Sequence, residues 1–219
     1  FVHIRCGAER LLRRPISICD AQEGLLRLVI GERGEGTRWL AGLKAGEQVD
    51  LLGPLGRGFT IDTGDAPVLL VGGGIGVPPL VFAAKRLSGR AHAAVGFCSK
   101  DAVMLVGMLN ECCSGVCLST DDGSAGVHGY VDTLVRKELE KTRYGRILAC
   151  GPRPMLRAVA ACAREYRVPC EVSLEERMGC GVGACLVCVC KTKTDDGFAY
   201  RHVCSDGPVF NADEVMWDE

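Results

Sequence analysis

Near the carboxyl end, Cys180, Cys185, Cys188 and Cys204 stand in the pattern C-x4-C-x2-C-x15-C. The stretch from Val168 to Glu219 is too short to bury much core by itself, so something other than packing must hold it. Spacing of x4 and x2 followed by a distant fourth cysteine is the plant-type [2Fe–2S] pattern. The reason is geometric: three thiolates wrap a compact cluster from one loop, and its sulfurs need backbone N–H donors close by. Gly179, Gly181, Gly183 and Ala184 permit that approach. Zinc is the competing ligand. Structural zinc sites pair cysteines at short spacing, and here only Cys185–Cys188 and Cys188–Cys190 are close pairs. Cys190, just past the ligand loop on an expected strand, reads as a small buried hydrophobe.

The 219 residues hold 14 cysteines, of which five fall between Cys180 and Cys204 and the rest are scattered. That is not the density of a disulfide scaffold, and it predicts a reducing, cytoplasmic setting with thiols free or metal-bound. A net charge of -1 removes the general electrostatic reason to expect nucleic acid as partner. No apolar run reaches the roughly 18 residues of a membrane span; Ala66–Ala84 is broken by glycines and prolines. The opening Phe1-Val2-His3-Ile4-Arg5 lacks the features of a secretory signal and lacks a methionine. It reads as the interior of a strand, so the chain is expected to miss its N-terminal strands.

The predicted fold class is α+β and multidomain. Residues 1–62 hold short strand-like runs, Phe1–Cys6, Ile16–Cys19, Leu25–Ile30 and Gln48–Leu52, separated by turns such as Gly53-Pro54-Leu55-Gly56. That rhythm predicts an antiparallel β-barrel, N-terminally incomplete. In residues 63–167 strands alternate with helices: Pro67–Val71, Pro79–Leu87, Ala91–Phe97, Met104–Leu109, Val116–Thr120, Val131–Glu140, Ile147–Cys150 and Pro154–Tyr166. This predicts a parallel sheet with helices on its faces. Residues 168–219 form the small cluster domain.

Val68–Val71 runs into Gly72-Gly73-Gly74-Ile75-Gly76-Val77-Pro78-Pro79. A glycine loop between strand and helix lets backbone N–H groups meet a pyrophosphate. The third glycine of the Rossmann fingerprint is missing in either register, so a tight turn without ligand stays open. A second strand, Ile147–Cys150, ends in the breaker Gly151-Pro152 before Arg153-Pro154-Met155. Both turns sit at carboxyl ends of expected parallel strands, where open sheets bind ligands.

Taken together, a barrel, then G-G-G-I-G-x-x-P, then C-G-P-x-P-M resembles the ferredoxin–NADP reductase superfamily. Ser173-Leu174-Glu175-Glu176-Arg177-Met178-Gly179-Cys180, Thr120-Asp121-Asp122-Gly123-Ser124 and Val203-Cys204-Ser205-Asp206-Gly207-Pro208 narrow the likeness. They are similar to the electron-transfer subunits of NAD-linked, heteromeric dihydroorotate dehydrogenase. The resemblance implies FAD, a [2Fe–2S] cluster and NAD(H) as cofactors. It gives Arg14 to an FAD phosphate, within the segment Arg14-Pro15-Ile16-Ser17, and Ser17 to the isoalloxazine. It gives the backbone of Val29, Ile30 and Gly31 to the flavin, and Gly36-Thr37 to the pyrophosphate. NAD(H) is expected near Gly73, Gly74 and Gly76, with its nicotinamide end near Thr120, Cys150, Gly151 and Pro152. Cys180, Cys185, Cys188 and Cys204 would hold the cluster. Electrons would pass between NAD(H), FAD, the cluster and the FMN of a dihydroorotate dehydrogenase catalytic subunit, in a heterotetramer that serves pyrimidine biosynthesis.

Other readings stay open from the residues alone. Arg14 and Ser17 could be a rim arginine and a strand serine, and Cys150 a packing cysteine. Cys112, Cys113 and Cys117 lack a nearby fourth partner for a second metal. His3, His92, His128 and His202 show no ligand spacing and read as surface or packing residues. Arg136–Lys141 reads as a solvated helix face, and Asp101 as a loose match to an NAD ribose contact. The competing functions are a reductase subunit of a hydrogenase, a sulfite reductase or a ferredoxin-linked transhydrogenase, and a zinc-stabilised nucleotide-binding regulator.

Overall fold

The computed structural model describes residues 1–217. Its first third holds β1 (Val2–Ile4), β2 (Arg14–Ile16), β3 (Ile18–Gln22), β4 (Leu25–Leu28), α1 (Glu35–Ala41) and β5 (Leu51–Leu52). β1 lies between β2 and β5 in an antiparallel sheet, and β3 and β4 make a hairpin. Among the described residues these are two separate small sheets rather than one closed barrel. The strands are also shorter than expected. Arg5 and Cys6 leave the ladder ahead of a turn at Gly7, whose φ is 79°. The run Ile16–Cys19 is split at Ser17 between two strands. Side chains alternate across β1: Val2 and Ile4 join Cys6 and Leu40 in a small apolar core, which leaves His3 on the opposite face, fully buried.

The chain continues through β6 (Val68–Gly73), α2 (Val77–Arg86), β7 (Ala91–Phe97), α3 (Val106–Cys112), β8 (Gly115–Thr120), β9 (Val127–His128), α4 (Val131–Lys141), β10 (Arg146–Cys150) and α5 (Arg153–Glu165). β11 (Cys170–Ser173), β12 (Val189–Thr194), β13 (Gly197–His202) and β14 (Val209–Asn211) follow. Seven strands form one sheet in the order β14-β11-β10-β6-β7-β8-β9, parallel except for β14. Val68-Leu69-Leu70-Val71 is a continuous apolar run because both faces of β6 are covered. Leu134, Val135, Leu156 and Val159 of α4 and α5 cover one face. Leu80 and Val81 of α2 and Leu109 of α3 cover the other.

The expected boundary after residue 167 falls inside this sheet. β11 pairs with β10 in parallel, from Ile147↔Cys170 to Cys150↔Ser173, and β14 pairs with β11. The strand after α5 is one more step of the β-α-β alternation, so it docks where its predecessors do. The cysteine-rich segment is therefore an excursion between two adjacent strands, carrying the β12–β13 hairpin.

Lys85 of α2 reaches Asp20 of β3 at 2.5 Å, tying the first sheets to the large one. The hydrogen bond from Lys85 holds the Asp20 carboxyl below its ordinary value. A depressed folded-state pKa contributes stability above the unfolded value of about 4, lost as pH falls through the folded value. Asp20→Asn should remove that acid-side slope and cost on the order of 1 kcal/mol near neutral pH. Urea titrations at several pH values check both.

Candidate functional site

From β6 the chain moves to β7 on one side and later returns to β10 on the other. The carboxyl ends of β6 and β10 therefore face a crevice where the winding direction switches, the usual ligand position in an open sheet. A cavity of about 610 Å³ opens there. Gly73, Gly74, Cys150, Gly151 and Pro152 line it from the large sheet, and Pro15, Ile16, Ser17, Val29, Gly31 and Thr37 from the first third. Eleven of the residues expected to touch FAD or NAD(H) thus meet in one place. Gly74 has φ 51° and open space where a Cβ would stand, so its backbone is bare toward a ligand.

Five expected residues lie off the cavity. Arg14 donates to the carbonyls of Leu12 and Arg13 at 2.7 and 3.2 Å, and its side chain lies across Gly36, where a Cβ would fall 2.8 Å from Nε. Ile30 packs against the small core of β1. Gly76 lies beneath the Cys150–Gly151 peptide; a Cβ there would fall 2.6 Å from the Gly151 nitrogen. Thr120 is fully buried, and its hydroxyl donates to Ala125 O at 2.8 Å and accepts the Ala125 N–H at 3.0 Å. Thr120 thus shapes the following turn, and its hydroxyl lies off the cavity.

Sequence reasoning assigned no role to Arg33, Ser173, Glu175, Glu176 and Met178, which also line the cavity. The signal was present: β11 is one more parallel strand whose carboxyl end reaches the same crevice. Burial raises the Glu175 carboxyl above its ordinary value, with Arg33 opposing. Burial also pushes the Cys150 thiol up to about 12, helped by Glu175 and opposed by a hydrogen bond with Ser173. At neutral pH Cys150 is therefore a neutral thiol against the cavity.

Two residues after Met178 the chain reaches Cys180. The N–H groups of Val182 and Ala184 point at Cys180 Sγ, at 3.4 and 3.2 Å. The Cys180 N–H points at Cys185 Sγ at 3.4 Å, and the Gly183 N–H at Cys204 Sγ at 3.1 Å. Those donors hold the Cys180 thiol down to about 6, the Val182 N–H contributing most. Burial pushes Cys204 up to about 11, with the Cys188 thiol in hydrogen-bond contact. Cys180 interacts with Cys185, and Cys204 with both Cys188 and Cys180, so the four thiols lie in one neighbourhood. No group of three His, Cys, Asp or Glu side chains among the described residues is set to hold a single ion. Four thiolates in one loop region, with N–H donors aimed at three of them, would suit a two-iron centre. Cys188 and Cys204 are buried, whereas Cys185 is exposed among Val182, Leu186 and Val187, themselves 54, 64 and 55% exposed.

Residues 175–216 match the family model described as the iron–sulfur cluster binding domain of dihydroorotate dehydrogenase B. Over 225 residues the chain is 45% identical to the dihydroorotate dehydrogenase B (NAD(+)) electron transfer subunit of Geobacillus kaustophilus, covering 99% of this chain and 85% of that one. The chain belongs to this family of electron transfer subunits. The subunit of the same name from Caldanaerobacter subterraneus subsp. tengcongensis is 40% identical, covering 99% of this chain and 86% of that one. A solved NADH-dependent reduced ferredoxin-NADP oxidoreductase superposes with a TM-score of 0.89 at 32% identity, over all of this chain and 79% of that chain. The Amycolatopsis cytochrome P450 reductase GcoB, at 24% identity and TM-score 0.62, covering 76% of this chain and 56% of that one, shares the fold. Members of the family are oxidoreductase components, and the α+β architecture of this one is of the ferredoxin-reductase type.

Proposed function

We propose that this electron transfer subunit passes electrons between NAD(H), FAD and a [2Fe–2S] cluster, to or from the FMN of a dihydroorotate dehydrogenase catalytic subunit. One observation carries the reading: the cavity wall at Met178 runs within two residues into Cys180, so flavin crevice and thiolate loop share one short stretch of chain. Bound there, a flavin exchanges electron pairs with the nicotinamide and single electrons with the cluster. The chain's own part is placement. Ser17, Val29, Gly31 and Thr37 form the flavin wall, between and after β2–β4 and on α1, in a first third that we read as part of an incomplete barrel. Gly73, Gly74 and Cys150–Pro152 form the nucleotide wall on the sheet of residues 63–167, which β11 and β14 extend. The cluster is held by Cys180, Cys185, Cys188 and Cys204 within residues 168–219.

The exposed Val182, Leu186 and Val187 around Cys185 form an apolar collar suited to the catalytic partner, and we read the complex as a heterotetramer. No helix among the described residues is long and apolar enough to cross a membrane. All 14 cysteines are free, which suits a cytoplasmic setting.

Native mass spectrometry of the complex from its source reads partner and cofactors together. An FMN-bearing partner with FAD and two irons on this chain is expected; a colourless zinc protein would overturn the reading. A second reading, the reductase subunit of a ferredoxin-linked transhydrogenase, is favoured by the TM-score of 0.89 to the solved oxidoreductase. In that case the co-purifying partner would lack dihydroorotate oxidation.

Arg14 is kept as a flavin-phosphate ligand whose guanidinium must swing from the Leu12 and Arg13 carbonyls. Arg14→Ala is expected to weaken FAD retention about tenfold, a loss of ~1.4 kcal/mol. FAD affinity equal to that of the unsubstituted protein, measured by fluorescence titration, would reduce Arg14 to a packing partner of Gly36.

A further inference from the structure

His3 is fully buried, yet neither ring nitrogen has a hydrogen-bond partner. Whichever tautomer is present, one nitrogen carries a proton. A buried donor left unpaired is costly, so a side chain in this state needs an explanation. The position of the ring supplies one. His3 sits in the middle strand β1 directly opposite Pro15 of β2, and Pro15 lines the flavin cavity. Its ring faces Gly181, the residue after Cys180. A Cβ at Gly181 would fall 2.5 Å from His3 Nδ1 and 3.0 Å from Cε1, and Gly181 has φ 76°. The Cys180 backbone acts on the imidazole, in a geometry too poor to count as a hydrogen bond. Phe1, which also lines the cavity, meets the same ring edge-on with centroids 6.3 Å apart. One side chain thus touches the flavin-side strands and the ligand loop together.

We propose that His3 is a positioning residue of the electron path: its imidazole carries the Cys180–Gly181 turn on the flavin-side sheet and completes its hydrogen bond there when the cluster is in place. This rests on the cluster assignment made above. A ring N–H bonded to the backbone behind Cys180 orients that ligand, and its positive end near the ligand loop favours the reduced, more negative centre. The packing fixes where the first thiolate stands relative to the flavin. Gly181 must be glycine because the ring occupies the space of any side chain. Of the two roles its sequence position suggests, the surface one is excluded by its burial, and the packing one is borne out and extended.

The test uses the full complex, purified without oxygen, in three forms: unsubstituted, His3→Phe and His3→Asn. Phenylalanine keeps the ring volume and removes the donor; asparagine places an amide N–H close to the position of Nδ1. Redox titration followed by EPR reads the cluster, and stopped-flow reads its reduction after the flavin. At fixed ambient potential His3→Phe is expected to lower the reduced-to-oxidised ratio of the cluster about tenfold, ~59 mV for a one-electron centre. It should also slow cluster reduction severalfold. His3→Asn should restore both to within about threefold. A wild-type potential and EPR line shape in His3→Phe would overturn the proposal. So would a tenfold or larger fall of the reduced-to-oxidised ratio in His3→Asn against the unsubstituted protein, which also decides the case if His3→Phe fails to fold. Absence of a cluster from the unsubstituted protein would instead strike the cluster assignment, so the two failures are distinguishable.

Discussion

Replacing Cys185 by serine should strip the protein of most of its iron and inorganic sulfide, a loss of more than about tenfold, while FAD stays bound. Serine is a poor substitute because cluster ligation uses thiolates. Cys185 suits the experiment because it is exposed, and so are Leu186 and Val187 after it. The substitution opens no cavity, so a loss of iron reports ligation and not a damaged core. Cys190 is the matched control. It is buried, and its thiol is pushed up to about 11 by that burial, with Glu176 adding to the shift. It stands on β12 outside the ring of N–H donors that surrounds Cys180, Cys185 and Cys204. Cys190→Ser should therefore keep the cluster and lose ~1–2 kcal/mol of stability for burying a hydroxyl. Iron and sulfide assays with EPR of the dithionite-reduced protein check the pair. An undiminished EPR signal in Cys185→Ser would remove it from the ligand set, and cluster loss in Cys190→Ser would put the spare cysteine in its place.

The contrast expected between these two cysteines comes from the amino-acid sequence, because ligand spacing is a local property. Other local signals read equally well. Ala91–Phe97 was expected as a strand and is one, residue for residue, because a short, mainly apolar run bounded by turns leaves few alternatives. β10 ends at Cys150, where the C-G-P turn had placed its end, whereas β6 runs on to Gly73, two residues past the expected Val71. Less legible was anything set by contacts between distant segments. β11 was given to a separate domain because residues 168–219 look different in composition, although its partner is β10. Thr120 was given to the nicotinamide, yet its hydroxyl is consumed by Ala125, a local turn bond that competes with any ligand. Ser173, Glu175 and Met178 reach the cavity only because β11 docks beside β10. His3 shows the same limit. Nothing near it in sequence reveals the orphaned ring, because the surface it meets is at Gly181. Local pattern therefore gave the elements and the cluster loop, whereas tertiary register decided which side chains the cavity receives.

Register also decides which glycine of the G-G-G-I-G loop matters most, and Gly76→Ala should be the most damaging single methyl in that loop. The added Cβ would meet the carbonyl carbon of Cys150 at 2.5 Å and the nitrogen of Gly151 at 2.6 Å. These are backbone atoms on the parallel neighbour of β6, held by the ladder from Arg146↔Val68 to Cys150↔Gly72, so no rotamer change relieves the clash. Overpacking in a core costs ~1–3 kcal/mol even where side chains can yield; here the upper end, ~3 kcal/mol, is expected. For a chain of this size that lowers Tm by about 6–12 °C. Gly74→Ala makes the opposite case. Its Cβ would stand in open space, and the cost comes from φ 51° alone, ~1–2 kcal/mol. It should melt only a few degrees early but lose flavin or nucleotide affinity, because the methyl enters the cavity. Differential scanning calorimetry with FAD and NADH titrations separates the two. Should Gly76→Ala melt with the unsubstituted protein, the seam between the glycine loop and the Cys150–Pro152 turn would not be as tight as these distances require, and the crevice it frames would have to be redrawn.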